Sequence, residues 1–232
     1  MTPPNSTALV FLKREGQPFE FLGTACAYRS GQHYLTAAHC VRELEPEALC
    51  LIAPGEAELV WVESVATHPT ADIALLIAKK DAPAAEPFWM TMGEIDLGEQ
   101  FTAFGYPEDV VGRTPMPTPR CFVGHFQRFF SHESFMGYRY RAAELSISAP
   151  RGLSGGPVFR SGAQYVLHGV VAENVESATA KEAHEEEVRP GEKREIRVER
   201  VISYGVAVLV HPLAQWLDPQ VPSIAEAQER GR

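Results

Sequence analysis

Cysteine is scarce in this chain. Cys26, Cys40, Cys50 and Cys121 are the only four among 232 residues, and no two form a Cys-x-x-Cys pair. Their spacing matches no zinc-site pattern, so no metal is expected, and in a reducing compartment they read as free buried thiols. Long apolar runs are missing too. Nothing approaches the roughly 18 consecutive apolar residues of a membrane span. The early run Ala8 to Leu12 is five residues with no basic stretch ahead of it, too short for a signal peptide. The expected location is therefore cytoplasmic, with no membrane partner. Basic charge is outweighed: 21 Lys and Arg stand against 30 Asp and Glu, a formal net charge of −9. Such a surface repels phosphate, which argues against a nucleic-acid partner. No cofactor is called for by any segment.

The composition that remains is that of a globular protein. Hydrophobic residues make up 45% and charged residues 22%, enough to bury a core without disulfide or metal staples and too little charge for disorder. Short runs rich in Val, Leu, Ile, Phe and Tyr predict strands at 8–13, 19–28, 33–36, 48–53, 57–67, 72–78, 100–105, 120–130, 138–147, 156–160, 164–173 and 196–210. Turn residues such as Arg14 to Pro18 and Ser161-Gly162 separate them. Many short strands at this spacing predict an all-β barrel or sandwich rather than βαβ units. Helix is confined to a short piece after Ala37 and another from Pro212 to Leu217, and the tail from Ser223 is polar. No internal repeat is visible.

Two stretches break the rhythm. Residues 81–98, with Pro83 and Pro87, read as a linker between two β units. Residues 176–200 hold eight Glu and six Lys or Arg and read as a solvated insertion, a long hairpin turning at Pro190-Gly191. The expected organisation is an N-terminal β unit over 5–80, the linker over 81–98, a second β unit over 99–218 carrying the insertion, and a tail over 219–232.

Acyl transfer from an amide needs a nucleophile, a base, a group that orients the base, and donors for the oxyanion. The segment Arg151-Gly152-Leu153-Ser154-Gly155-Gly156-Pro157 offers a serine between glycines, whose turn can expose the hydroxyl and aim the Gly152 and Ser154 amides into one hole. By itself it is equally a glycine-rich turn between strands. In Leu35-Thr36-Ala37-Ala38-His39-Cys40 a histidine follows a short apolar strand among small residues that leave an imidazole approachable. A structural histidine is the alternative. The other seven, His33, His68, His125, His132, His168, His184 and His211, have no matching context and read as structural. In His68-Pro69-Thr70-Ala71-Asp72-Ile73-Ala74-Leu75-Leu76 an acid opens a very apolar strand. It is either a surface-turn aspartate or a carboxylate holding an imidazole tautomer.

Together the three occur in the order His, Asp, Ser, and with the motifs TAAHC, DIALL and GxSGGP the chain resembles the chymotrypsin/trypsin-like serine peptidases. The resemblance runs from about residue 5 to 218, with 176–200 unmatched. It implies two perpendicular six-stranded antiparallel β-barrels, a catalytic triad of His39, Asp72 and Ser154 in the cleft between them, an oxyanion hole from Gly152 and Ser154, and a closing C-terminal helix. It implies endopeptidase activity on protein or peptide substrates. It puts Ser148 at the base of the pocket for the residue before the scissile bond, where trypsin has an aspartate, so an uncharged residue is expected there. Ala172 falls where a serine often bonds the triad aspartate, and Glu173 and Asn174 flank the substrate backbone. It also implies that Cys26 and Cys40 lie close together, since the family often bridges two cysteines beside the catalytic histidine.

Two departures stand out. Leu153 occupies the place of an aspartate that, in secreted members, pairs with a newly released N-terminus, so the oxyanion loop must be held in another way. The insertion next to Glu173 and Asn174 has no counterpart, and reads either as a flap that regulates or selects substrates or as an inert loop. Narrow specificity or control by a regulatory protein would fit an intracellular peptidase. Two other functional classes stay open. One is a binding or scaffolding module with weak or no turnover. The other is an esterase-type acyl hydrolase, although the α/β-hydrolase chain order is absent.

Overall fold

The computed structural model describes residues 5–52, 58–82, 85, 87–90, 95–109, 111, 117–160, 166–189 and 192–221. Six strands close the first barrel: β1 Thr7–Leu12, β2 Glu20–Ala27, β3 His33–Thr36, β4 Leu49–Ile52, β5 Val60–Thr67 and β6 Ala74–Ala78. Every pairing is antiparallel, in the order β1-β2-β3-β6-β5-β4, and β1 meets β4 from Leu9↔Ile52 to Leu12↔Leu49. Closure leaves no free edge to template aggregation.

The second unit is a seven-stranded sheet: β7 Trp89–Met90, β8 Gln100–Gly105, β9 Arg120–Glu133, β10 Arg139–Leu145, β11 Pro157–Arg160, β12 Val166–Arg189 and β13 Glu192–Leu209. Its order is β11-β8-β9-β10-β13-β12-β7. An additional antiparallel pairing of β11 with β12 bends six of these strands into a ring and leaves β7 appended in parallel at Val166 and Leu167. Two one-turn helices complete the chain, α1 Ala38–Val41 and α2 Ala214–Leu217.

Strand alternation explains why some of these runs are so apolar. In β2, Ala25 and Ala27 face the interior of the first barrel, while Cys26 faces a second cluster shared between the barrels, which Tyr28 joins just beyond the strand end. In β6 and the residue before it, Ala74, Leu76 and Ala78 face inward and Ile73 and Leu75 face the shared cluster. A strand buried on both faces reads as a continuous hydrophobic run rather than an alternating one. The second unit contributes Phe104, Tyr140, Phe159 and Val170 to the same shared cluster, and Leu217 of α2 closes it.

The stretch 81–98 does more than link. Phe88 is fully buried in the shared cluster, its ring 4.9 Å from Phe159, and its amide and carbonyl bond to Ala27 and Arg29 of the first unit. The charged stretch 176–200 is a two-stranded ribbon in which β12 and β13 stay paired out to Arg189↔Glu192. The expected turn residues Pro190 and Gly191, the separator Ser161-Gly162 and the tail from Ser223 lie outside the described residues. Among the described residues no helix is long and apolar enough to cross a membrane.

All four cysteines are thiols. Cys26 and Cys40 belong to different clusters, Cys26 between the barrels and Cys40 within the first. Strand parity turns the Cys26 side chain away from the barrel interior that holds Cys40, so the two do not share a cluster.

Candidate active site

His39 lies on α1, a single turn that begins where β3 ends, and Asp72 in the bend that leads into β6. Because β3 pairs with β6 from His33↔Ile77 to Thr36↔Ala74, the ends of these strands bring the two residues together. The His39 Nδ1–H donates to Asp72 Oδ2 at 2.7 Å, and the His39 backbone amide donates to Oδ1 at 2.9 Å. Asp72 is 3% exposed, so its carboxylate is held by protein donors rather than water. Burial works against the charged imidazole, yet the Asp72 hydrogen bond, contact with Cys40 and the Asp72 charge outweigh it and raise the His39 pKa above its ordinary value.

The bend presenting Asp72 is fastened by His68. Its Nδ1 accepts from the Ala71 amide at 2.9 Å and the Thr70 amide at 3.2 Å, and its ring packs edge-on against Trp216, 5.1 Å between centroids. Sequence context had marked His68 as structural. It is structural, but for the loop that carries the acid.

Ser154 sits on the turn before β11. Gly152 and Gly155 both have positive φ, +89° and +88°. A Cβ on Gly152 would come within 2.5 Å of the Tyr106 carbonyl oxygen, and one on Gly155 would overlap the Thr24 carbonyl. Only glycine suits both positions, which is the physical content of the GxSGG spacing. Among the described residues neither the Gly152 nor the Ser154 amide has a hydrogen-bond acceptor, whereas the intervening Leu153 amide donates to Pro150 at 3.0 Å and the Gly155 amide to Val171 at 2.7 Å. The Ser154 hydroxyl donates to the Ala172 carbonyl at 3.1 Å. The Cys40 sulfur lies 3.5 Å from His39 Nε2.

Two residues hold this turn. Leu153 is fully buried among Phe101, Ala103, Val158 and their neighbours in the second barrel. An apolar anchor thus stands where secreted relatives of the resemblance have an ion pair. Thr24 of β2 reaches across from the first barrel: its amide donates to Ser154 O at 2.9 Å and its hydroxyl to Gly152 O at 2.7 Å. The same hydroxyl accepts from the Tyr106 amide at 3.0 Å, and its carbonyl accepts from Thr36 Oγ1 at 2.7 Å. Nothing in its local sequence marks Thr24, since its partner Gly152 lies 128 positions away and Ser154 two further.

His39, Asp72, Ser154, Ala172, Glu173 and Asn174 all line one open cleft. Ser134 and Met136 from the β9–β10 turn, Ala149 to Arg151 and Glu176 form the remaining wall. Glu173 is paired with His132 of β9, another histidine that context had marked as structural. Ser148 is not among the residues that line the cleft; it is exposed, and its hydroxyl donates to Ser203 O at 3.4 Å. Asn174 Oδ1 accepts from the Ala149 amide and from Ser203 Oγ, both at 2.9 Å. Among the described residues no group of three or more His, Cys, Asp or Glu is arranged to hold a metal ion.

Two β units of antiparallel strands, one a closed six-stranded barrel, with a short C-terminal helix and a His-Asp pair facing a serine turn across the cleft, make this a chymotrypsin-like fold. Residues 23–167, more than half of the chain, match the family model of the trypsin-like peptidase domain, and the chain belongs to that family. Solved structures agree on the fold. The MamO protease domain from Magnetospirillum magneticum is 18% identical with a TM-score of 0.61, over 95% of this chain and 97% of that one. The active form of the Rv3671c protease from M. tuberculosis is 17% identical with a TM-score of 0.57, over 72% and 70%. No curated protein sequence matches the chain at a significant level.

Proposed function

We propose that this chain is a serine endopeptidase that hydrolyses peptide bonds through an acyl-enzyme intermediate. The observation that carries the reading is the convergence, on one cleft, of an imidazole fixed by a buried carboxylate, a serine on a glycine turn and two amides that have no acceptor among the described residues. With Nδ1–H committed to Asp72, neutral His39 has Nε2 as its acceptor. The Ser154 hydroxyl turns from the Ala172 carbonyl to Nε2, and its oxygen attacks the substrate carbonyl carbon as the proton passes to His39. The carbonyl π electrons move onto oxygen, where the Gly152 and Ser154 amides receive the negative charge. Imidazolium then protonates the leaving amine, the C–N bond breaks, and an ester to Ser154 remains. Water, deprotonated by the same Nε2, cleaves that ester and returns Ser154 to its hydroxyl form.

A second reading, a binding module without turnover, is favoured by one observation: the Ser154 hydroxyl bonds to Ala172 while Nε2 faces Cys40 rather than Ser154. Unliganded catalytic hydrogen bonds are often made only once substrate is bound, so we retain the peptidase reading. A fluorophosphonate probe and an unactivated peptide substrate separate the two. The peptidase labels at Ser154 and cleaves the amide, and Ser154→Ala does neither. A chain that binds peptides at the cleft but neither labels nor cleaves is the binding module.

A further inference from the structure

The Gly152 and Ser154 amides mark where a scissile carbonyl would rest, and the side chain of the residue carrying that carbonyl would enter the recess between Ala149–Arg151 and Ala172–Asn174. In this chain the recess has been stitched shut a short way in. Asn174 spans it, its Oδ1 taking hydrogen bonds from the Ala149 amide and from Ser203 Oγ, both at 2.9 Å. Below that bridge the two walls meet directly: the Gly205 amide donates to Ile147 O at 2.6 Å and the Ser148 hydroxyl to Ser203 O at 3.4 Å. Beside Ser154 the cleft is lined by Ala149, Pro150 and Ala172.

We infer that Asn174 makes this a peptidase for small uncharged side chains, alanine-sized, at the residue before the scissile bond. The inference rests on the peptidase reading and names its substrate class. An aromatic ring could enter only by breaking the Asn174 bridge, which would leave the buried Ala149 amide without its partner. An arginine or lysine meets the same obstruction and finds no buried counter-charge, because the Glu173 carboxylate is paired with His132 and Glu176 is exposed at the mouth.

The test uses the full chain with a set of fluorogenic peptides that differ only at that residue (Ala, Val, Leu, Phe or Arg), together with fluorophosphonate labelling of the same samples. The expected result is labelling at Ser154, with kcat/KM for Ala exceeding that for Phe and Arg at least tenfold, the scale on which a pocket discriminates by shape. Asn174→Gly, and as a milder change Asn174→Ser, should lower the Ala-to-Phe ratio at least tenfold by opening the recess. Labelling at Ser154 with Phe or Arg as the best substrate would overturn the inference and leave the peptidase reading standing. An unchanged ratio in both Asn174 variants, with melting temperatures close to wild type, would overturn Asn174 as its cause. Neither labelling nor cleavage of any peptide would overturn the peptidase reading, and this inference with it.

Discussion

His39 and Asp72 form a pair whose energetics have a definite pH signature. The folded-state pKa of His39 is raised, so the charged pair contributes stability that is fully present below the unfolded value of about 6.5 and lost as pH rises through the folded value. Activity runs the other way, because the base must be neutral. The acid limb of kcat/KM should therefore be centred above pH 6.5, and in Asp72→Asn it should move down, since burial then acts with less opposition. The same variant should lose about 10⁴-fold in kcat through the wrong tautomer. A wild-type limb at or below pH 6.5, measured on an uncharged peptide, would contradict this account. Leu153 carries a second prediction. Leu153→Ala should destabilise the fold by about 2–5 kcal/mol, read as a denaturation midpoint, and lower kcat more than it raises KM, because the side chain removed anchors the amides on either side. Residues of this kind differ in how far sequence reveals them. His39, Asp72 and Ser154 were legible because the chemistry demands fixed residue types among small neighbours. Asn174 reads as a cleft residue only through the family resemblance, and it does line the cleft, but its bond to the Ala149 amide, twenty-five positions away, leaves no mark in the local sequence.

At the scale of the element, β2 decides how the Ser154 turn is held. One face of it fills the first barrel, while Thr24 spends its amide on Ser154 and its hydroxyl on Gly152 and Tyr106. Thr24→Val keeps the shape but leaves the Gly152 carbonyl and the Tyr106 amide unpaired in a buried place. The expected cost is about 1–3 kcal/mol of stability, with a fall in kcat at nearly constant KM, and Thr24→Ser should restore both. Equal loss in the Ser and Val variants would mean that the methyl group matters and the hydroxyl does not. The twelve long strands were visible because Val, Leu, Ile and Phe runs alternate with turn residues. The strand Trp89–Met90 was not, since two residues paired in parallel leave no periodicity to read. The outer ends of β12 and β13 were legible by another signal, the Pro190-Gly191 turn inside a charged stretch, which reads as a hairpin; the backbone ladder from Glu176↔Ser203 to Arg189↔Glu192 pairs them.

Across the described residues, the two units meet through a shared apolar cluster and the Thr24 clasp, and the ribbon projects as a long feature from the second. It leaves the cleft wall at Glu176 and returns at Ser203, so its base is fixed beside the substrate path. Val198, Val201 and Ile202 on its returning strand are about half exposed, and Phe135 and Met136 stand exposed on the β9–β10 turn, where Met136 also lines the cleft. Exposed apolar groups on a ribbon rooted beside the cleft, and on the turn that lines it, fit contact with another protein surface better than contact with a short peptide held in the cleft. Replacing 177–199 with a short Gly-Ser bridge should therefore leave the barrels folded, with a melting temperature within a few degrees of wild type. kcat/KM on the best short peptide should stay within about threefold, the scale of a sub-kilocalorie change. On a folded protein substrate carrying the same cleavage sequence it should fall by well over threefold. If both substrates respond alike, the ribbon takes no part in choosing substrates, and its exposed valines and isoleucine need another explanation.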